Sequence, residues 1–378
     1  MDRKTQIALV ERVLAHLDAG TTTMADAPMR QPVSAYTDAA RLAREADLIR
    51  TEPVLMGFSA RLPAPRSFFT DENTGVPLVM IRGEDGRVRA FANACRHRGA
   101  RLFDGEGQMG AARSCPYHAW SFAADGRLLA VPDSASFDGL DLSRYGLREL
   151  PALERDGLIW ARARGEAPID ADLGGLAQEL ASYGFAAYHH YETRSIACEM
   201  NWKLIIDTFL EPYHFAVLHR DTVAPIFFPN LCLLDTFGPH LRETLPRRSI
   251  VELRGVPREQ WDLVRHTALV YVLHPNTVLV MQIDHAEVWR CFPRDGRPDR
   301  SVVHLEFYTP EPVTTDSARR HWERNMDLTV RTVLEEDFPI GEASQRSFDG
   351  GAIDEIVFGR NEPALAHFER TMTAAIAG

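Results

Sequence analysis

Apolar residues near the N-terminus recur at helical spacing. Residues from about 5 to 17 place apolar side chains every three or four positions, and Gly20 ends the pattern. Ser34 is a suitable N-cap for a second helix that continues to Ile49. The pattern therefore predicts that residues 1–48 form a helical region, which we expect to pack on a larger domain further along the chain.

Short β-rich segments follow these helices. Residues 76–82 and 87–93 are apolar runs separated by Gly-Glu-Asp-Gly, which predicts a hairpin. A further apolar run at residues 158–162 has the composition of a closing strand. We therefore expect a small all-β domain over residues 49–165.

Beyond a linker rich in Gly, Ala and Asp (residues 165–175), the pattern becomes mixed. Strands are predicted at residues 195–198, 270–273, 277–283, 287–292 and 301–308. Helices are predicted at residues 202–218 and 315–336. The chain is therefore predicted to be α+β, with a helix-and-antiparallel-sheet domain over residues 166–378 after the all-β domain.

Composition narrows the possible functions. The net charge of −11 over 378 residues disfavours nucleic-acid binding. No apolar run approaches the length of a transmembrane helix, and the N-terminus lacks the pattern of a signal peptide. Five scattered cysteines are typical of a reducing compartment, so we expect a cytoplasmic protein without membrane or nucleic-acid partners.

Two Cys-His pairs lie in the predicted β domain. Cys95 and His97 form a Cys-x-His pair, and Cys115 and His118 form a Cys-x-x-His pair. Two thiolates and two imidazoles are the ligand set of a Rieske [2Fe–2S] cluster, and they also suit a structural zinc ion. Because each pair combines one Cys with one His, whereas zinc sites usually pair like residues, we favour the cluster.

These loops resemble the Rieske domain of ring-hydroxylating, non-haem iron oxygenases. The shared features are Cys95-Arg-His97-Arg-Gly and Cys115-Pro-Tyr-His118-Ala-Trp. Respiratory Rieske proteins carry an extra cysteine in each loop, and this chain has none there. The resemblance therefore favours the oxygenase or ferredoxin branch.

A second candidate metal site lies within the helix predicted at residues 202–218. Asp207, Glu211 and His214 would share one face of this helix, and His219 follows five residues later. Two imidazoles and a carboxylate form the facial triad of non-haem Fe(II) oxygenases. A solvated polar helix face is the alternative, but an electron-donating cluster implies an acceptor in the same protein.

The resemblance to the oxygenases extends to this second site. The Asn-Trp-Lys opening and the Glu-x-Tyr-His-x4-His pattern imply that His214 and His219 bind mononuclear iron. Glu211 falls on the acid that links a neighbouring subunit's cluster to the iron, and Asp207 falls at a position of uncertain role near the ligands. The C-terminal Glu-Asp-x4-Glu-x2-Gln-Arg pattern implies that Asp337 is the third ligand, although Glu335 and Glu336 are immediate neighbours.

Membership of this family implies a catalytic domain of the START/Bet v1-like type. It also implies a Rieske [2Fe–2S] cluster, mononuclear Fe(II), and electrons from NAD(P)H through a reductase and possibly a ferredoxin. A homotrimer is expected, possibly with β subunits. Hydroxylation of an aromatic or other small organic substrate is the main hypothesis. The C-terminal pattern also resembles choline and carnitine monooxygenases, so a quaternary ammonium substrate is the alternative, and an electron carrier or a zinc hydrolase is less favoured.

Several aromatic and apolar residues could line a substrate cavity or belong to the core, and the sequence does not separate these roles. They are Phe209, Phe215, Phe227, Phe228, Met281 and Phe292. Remaining histidines such as His285 are expected to be packed or surface residues.

Overall fold

The structure is a computed structural model that describes residues 1–170 and 172–377. These residues form two compact units. The larger unit contains residues 1–48, 172–183 and 188–377, and the smaller contains residues 49–170 and 184–187. No helix in the described part of the chain is long and apolar enough to cross a bilayer.

Short antiparallel strands build the smaller unit, as its apolar runs and turn residues predict. One sheet has the order Glu149–Leu150, Val88–Ala92, Leu78–Arg82, Ser67–Asp71 and Glu106–Gln108. A second has the order Ala152–Arg155, Leu158–Ala161 and Val54–Phe58. A third has the order Arg113–Ser114, Ser121–Phe122 and Leu128–Ala130. The predicted hairpin is present, with Leu78 opposite Ala92.

A seven-stranded antiparallel sheet is the centre of the larger unit. Its order is His189–Cys198, Arg297–Thr309, Ala286–Arg294, Thr277–Met281, Thr267–Leu273, His240–Pro246 and Leu233–Phe237. Every residue of the strands Thr277–Met281 and Thr267–Leu273 is buried, so other parts of the unit cover both faces of the sheet there. A separate two-stranded sheet pairs Met29–Pro32 with Glu355–Phe358.

Four of the observed helices begin near predicted positions, at Arg3, Ser34, Trp202 and Asp316. The helices of the chain are Arg3–Ala19, Ser34–Thr37, Ala39–Thr51, Ala177–Ala181, Trp202–Asp207, Asp316–Thr332, Phe338–Asp349 and Pro363–Ala377. The second predicted helix is divided, because the helix that starts at Ser34 ends at Thr37 and a new one starts at Ala39.

The continuous helix predicted over residues 202–218 is wrong. The helix ends at Asp207, and the next helical turn is the 3₁₀ segment Tyr213–Ala216. Pro212 prevents the helix from continuing to His214, because proline has no N–H to donate and restricts the residue before it to extended conformations. Consequently Asp207, Glu211 and His214 do not share one helical face, although the break brings the two histidines within reach of one ion.

A buried ion pair gives a test of how the N-terminal helices stabilise the larger unit. Lys203 donates to Glu45 at 2.8 Å, with side chains 0% and 1% exposed. We expect Lys203→Met to lower the free energy of unfolding by about 3 kcal/mol, because Glu45 then loses its buried ammonium partner and retains the ion pair with Arg41. Urea denaturation would measure this loss. The control is Arg331→Met, which breaks an exposed pair with Glu335 and should cost less than about 0.5 kcal/mol; equal losses would contradict the prediction.

Candidate metal centres and substrate cavity

Two tight turns carry the Cys-His pairs of the smaller unit. The Gly99 N–H donates to the Cys95 carbonyl at 2.9 Å, and the Ala119 N–H donates to the Cys115 carbonyl at 3.0 Å. Gly99 and Ala119 have positive φ values of 74° and 57°, which close the turns after His97 and His118. Each turn therefore presents one thiol and one imidazole from a few consecutive residues.

Like residues from the two turns face each other. Cys95 and Cys115 are each 3% exposed and their thiols are in hydrogen-bonding contact. The imidazole rings of His97 and His118 lie 4.6 Å apart, and His97 also stacks on Trp120. His97 Nδ1 is buried and has no hydrogen-bond partner among the described residues. The turns thus provide a pair of sulfurs and a separate pair of ring nitrogens.

This pairing fits two metal atoms better than one. In a tetrahedral zinc site every ligand atom lies within about 2.3 Å of the ion, so all four crowd together. Among residues 1–170 and 172–377, the side chains whose potential ligand atoms all lie within 4.8 Å of one another are His214, His219 and Asp337. The two Cys-His pairs do not form such a group among these residues, which suits the two metal atoms of a [2Fe–2S] cluster better than a single zinc ion.

The protonation states of these side chains also affect whether they can bind a cluster. Burial raises the pKa of the Cys95 thiol, so a thiolate there needs compensation by metal charge. Burial, with the nearby charges of His97 and Arg98, lowers the pKa of His118. A neutral imidazole is the form that binds metal.

The larger unit brings together two histidines and an aspartate that are distant in sequence. His219 Nε2 lies 3.0 Å from Asp337 Oδ1, and His214 Nε2 lies 3.5 Å from the same oxygen. His214 Nε2 and Asp337 Oδ1 are buried without a hydrogen-bond partner in the described residues. Since buried polar atoms are normally paired, these atoms fit a site for a bound cation. Two imidazoles and one carboxylate suit Fe(II) with open positions.

The opposite nitrogen of each imidazole contacts a glutamate. His214 Nδ1 lies 2.5 Å from Glu211 Oε1, and the backbone N–H of His214 donates to the other oxygen of Glu211. His219 Nδ1 contacts Glu336, whose carboxylate also accepts from the Thr222 hydroxyl at 2.8 Å. Such carboxylates fix the tautomer of a metal-binding imidazole and direct its free nitrogen toward the ion.

Glu336 and Asp337 are neighbours in a π-helical turn, but their side chains contact different parts of the site. The helix Asp316–Thr332 runs into a π-helical turn, Val333–Asp337, before the helix Phe338–Asp349. Pro339, which has no N–H, lies at the start of this last helix. The predicted helix end at residue 336 is therefore wrong, because the helical path continues through this turn to Asp349. Asp337 joins the two imidazoles, whereas Glu336 contacts the far side of His219.

Burial and nearby charges shift the pKa values of His219 and Asp207. Burial lowers the pKa of His219, but its contacts with Asp337 and Glu336 outweigh this effect and raise the pKa overall. Asp207 is not in the metal group; its carboxylate accepts from the Tyr36 hydroxyl at 2.9 Å. Burial, followed by the charge of Glu369, raises the pKa of Asp207 well above its usual range.

A cavity of about 390 Å³ opens beside His214, His219 and Asp337. Phe209, Phe215 and Phe227 line it. The other three candidates, Phe228, Met281 and Phe292, do not, and the last two are buried in the sheet. Its volume and mixed lining are typical of a small-molecule site.

One wall of the cavity is polar, which the sequence did not indicate. It carries Arg247, Gln282, Asp284, His285 and Glu287. His285 is buried and lies between the two acids, 2.9 Å from Asp284 and 3.2 Å from Glu287, so it is a packed residue as expected. Four of these residues lie within positions 282–287, whereas Arg247 joins them only through long-range strand pairing, so no local motif marks the complete set.

Replacing Glu336 by alanine tests its contact with His219. We expect iron affinity to fall by about 10–100-fold, because the imidazole loses the carboxylate that orients it. Iron would be quantified after dialysis against a graded series of chelator concentrations, with cluster absorbance as the internal reference. Glu335→Ala is the matched control, because Glu335 is an exposed neighbour paired with Arg331. Equal iron retention in both variants would show that Glu336 does not support the site.

Comparison with known proteins identifies two sequence families in the chain. Residues 52–151 match the family described as the Rieske [2Fe-2S] domain. Residues 185–378 match the family described as the ring hydroxylating alpha subunit, catalytic domain. These matches agree with the two metal centres and confirm the predicted α+β class.

Individual relatives and structures are similar over much of the chain. The glycine betaine monooxygenase oxygenase subunit of Chromohalobacter salexigens is 30% identical over 275 residues, which cover 70% of this chain and 60% of that protein. The chain therefore matches less than two thirds of that relative's length. A crystal structure of the quaternary ammonium Rieske monooxygenase CntA with L-carnitine has a TM-score of 0.78 at 20% identity, covering 93% of this chain and 96% of that chain. Naphthalene 1,2-dioxygenase from Rhodococcus sp. has a TM-score of 0.74 at 18% identity, covering 98% of both chains. At these identities the two structures support the fold alone.

Proposed function

Because this chain belongs to the ring-hydroxylating alpha-subunit family, we propose that it is the terminal oxygenase component of a Rieske non-haem iron oxygenase system. It would use O2 to hydroxylate a small organic substrate. The observation that carries this proposal is the group formed by His214, His219 and Asp337, which borders the cavity.

The two matched domains imply a Rieske cluster and one mononuclear iron as cofactors. The cluster would be held by Cys95, His97, Cys115 and His118. The iron would be held by His214, His219 and Asp337. When bound, the iron supplies open coordination positions at which O2 is activated. The apolar lining of the cavity would limit water there and hold the substrate carbon near the triad.

Glu211 would connect the two kinds of centre between subunits. Its carboxylate already accepts from His214 and is partly exposed, with 16% of the side chain accessible. A second donor, an imidazole that binds the cluster of a neighbouring subunit, could therefore reach it. This arrangement requires a head-to-tail ring of subunits, so we propose a homotrimer that receives electrons from a reductase or ferredoxin. The possible β subunit, the cytoplasmic location and the domain limits 1–48, 49–165 and 166–378 stay predictions.

Two substrate classes are proposed for the cavity. An aromatic compound would pack against Phe209, Phe215 and Phe227. A quaternary ammonium compound is the second candidate, favoured by the glycine betaine monooxygenase relative and by the acids Asp284 and Glu287 in the cavity wall. Aromatic faces also attract such cations.

A single-turnover experiment tests the oxygenase function. The holoenzyme would be reduced with dithionite, exposed to O2, and followed by the visible absorbance of the cluster and by mass spectrometry of products. One substrate pool would contain arenes and aromatic acids, and the other N-methylated and quaternary amines. We expect one pool to accelerate cluster reoxidation and to yield an oxygenated product.

Other outcomes separate the competing functions. Reoxidation that ignores every substrate, in protein without mononuclear iron, would support an electron carrier. A colourless protein that binds zinc would support a hydrolase.

A further inference from the structure

Arg247 presents a cation to the cavity without a carboxylate partner. It lines the cavity one residue beyond the strand His240–Pro246. Among residues 1–170 and 172–377, no acid lies within ion-pair distance of its guanidinium, and its buried Nε has no hydrogen-bond partner. Burial lowers the pKa of Arg247, with Asp284 and Glu287 opposing this effect from a distance. A partly buried cation of this kind is costly unless an anion joins it.

The neighbours of Arg247 hold its planar group in place. One Nη donates to the amide oxygen of Gln282 at 2.7 Å, and the guanidinium lies 4.7 Å from the ring centre of Phe227. Because Gln282 accepts through its oxygen, its NH₂ group remains available as a donor beside the arginine. The remaining guanidinium N–H groups and this amide could bind the two oxygens of one carboxylate.

The acids on the same wall are already engaged by other donors. Asp284 pairs with His285 at 2.9 Å and with His321 at 3.1 Å. Glu287 accepts from Trp289 at 3.1 Å and contacts His285 at 3.2 Å. These contacts engage both carboxylates without involving Arg247. The guanidinium of Arg247 is therefore available to bind an anion that enters the cavity.

We propose that Arg247 and Gln282 form a carboxylate-binding subsite, so that the substrate of this enzyme is a small organic acid. This inference rests on the proposed oxygenase function and specifies the substrate class. Phe227 and Phe215 lie between the subsite and the histidines, with ring centres 6.1 Å apart and Phe215 5.7 Å from His219. A substrate anchored at Arg247 therefore presents the carbon farthest from its carboxylate to the triad. Aromatic acids and betaines both satisfy this requirement.

Binding of matched acid and amide pairs tests the subsite without requiring turnover. Benzoate with benzamide and glycine betaine with its primary amide would be titrated calorimetrically into oxidised holoenzyme. We expect at least one acid to bind about 10–100-fold more tightly than its amide, because only the acid forms charge-assisted hydrogen bonds. Arg247→Gln should abolish this preference, and Arg247→Lys should retain part of it, since lysine keeps the charge but not the planar fork.

Arg248→Gln is the matched control. Arg248 is the exposed neighbour and donates to the Ala224 carbonyl, so this variant should keep the full acid preference. Cluster absorbance and iron content would verify that each variant remains folded and loaded. Equal binding of acid and amide by the wild type, no binding of either acid, or an unchanged acid preference in Arg247→Gln would overturn the subsite.

The product analysis separates the subsite from the function on which it rests. Acid-selective binding that depends on Arg247 but yields no oxygenated product would contradict the oxygenase and leave the subsite standing. Oxygenation of acids and amides at equal rates, insensitive to Arg247, would support the oxygenase and overturn the subsite.

Discussion

Replacing Asp337 by asparagine is expected to remove the mononuclear iron and stop product formation while the [2Fe–2S] cluster remains. Asp337 Oδ1 lies 3.0 Å from His219 Nε2 and 3.5 Å from His214 Nε2, and no described residue offers that oxygen a hydrogen bond. An amide at this position is neutral and binds Fe(II) poorly. Iron affinity should therefore fall by more than the roughly 10–100-fold that follows loss of a residue outside the coordination shell.

The measurement is iron per cluster, by elemental analysis and visible absorbance, together with product per turnover. The control is Glu335→Gln, two residues earlier in the same turn, where the side chain is 66% exposed and contacts Arg331. That variant should keep both iron and activity. Full iron occupancy in Asp337→Asn, or simultaneous loss of the cluster, would contradict the assignment.

Glu211→Gln is expected to leave both metal centres occupied and yet reduce product formation by about 100-fold, the upper end of what loss of an outer-shell partner produces. Glutamine retains one oxygen that can accept from His214, so the imidazole should remain oriented. It lacks the charge and the second acceptor that a cluster imidazole of a neighbouring subunit would require. Electron transfer to the iron should therefore fail while metal binding persists.

Stopped-flow absorbance after O2 mixing would show slow cluster reoxidation in this variant, and elemental analysis would show normal iron. The informative comparison is Glu336→Ala, which removes the carboxylate that contacts the other imidazole. If Glu211 only orients His214, the two variants will lose iron to a similar extent. Normal turnover by Glu211→Gln would exclude the connecting role altogether.

Local sequence features were enough to predict the fold class and the residue types of both candidate metal sites. The Cys-His pairs are local, because a single turn presents both members, and their spacing is visible without tertiary contacts. Apolar runs bounded by turn residues likewise indicated several strands, since a strand that is buried on both faces carries apolar residues at consecutive positions. His214, His219 and Asp337 were predicted through resemblance of their surrounding motifs, and the structure brings these three residues together.

Which partners these side chains contact depends on the tertiary structure and could not be read from local sequence. Helical periodicity predicted that Asp207, Glu211 and His214 share one face, but the helix does not continue through Pro212. The two acids therefore have different partners: Asp207 accepts from the Tyr36 hydroxyl, and Glu211 contacts His214. A π-helical turn directs Asp337 to the imidazoles and its neighbour Glu336 to the far side of His219.

Long-range strand pairing decided the chemistry of the cavity. Arg247 and Gln282 each follow the last residue of a strand, and they meet because the strand Thr267–Leu273 pairs with both of those strands. No sequence motif records this juxtaposition, because the two residues are far apart in the chain and each is ordinary alone. The candidate metal ligands lie in local sequence motifs. The polar wall of the cavity depends instead on the register between strands that are distant in the chain.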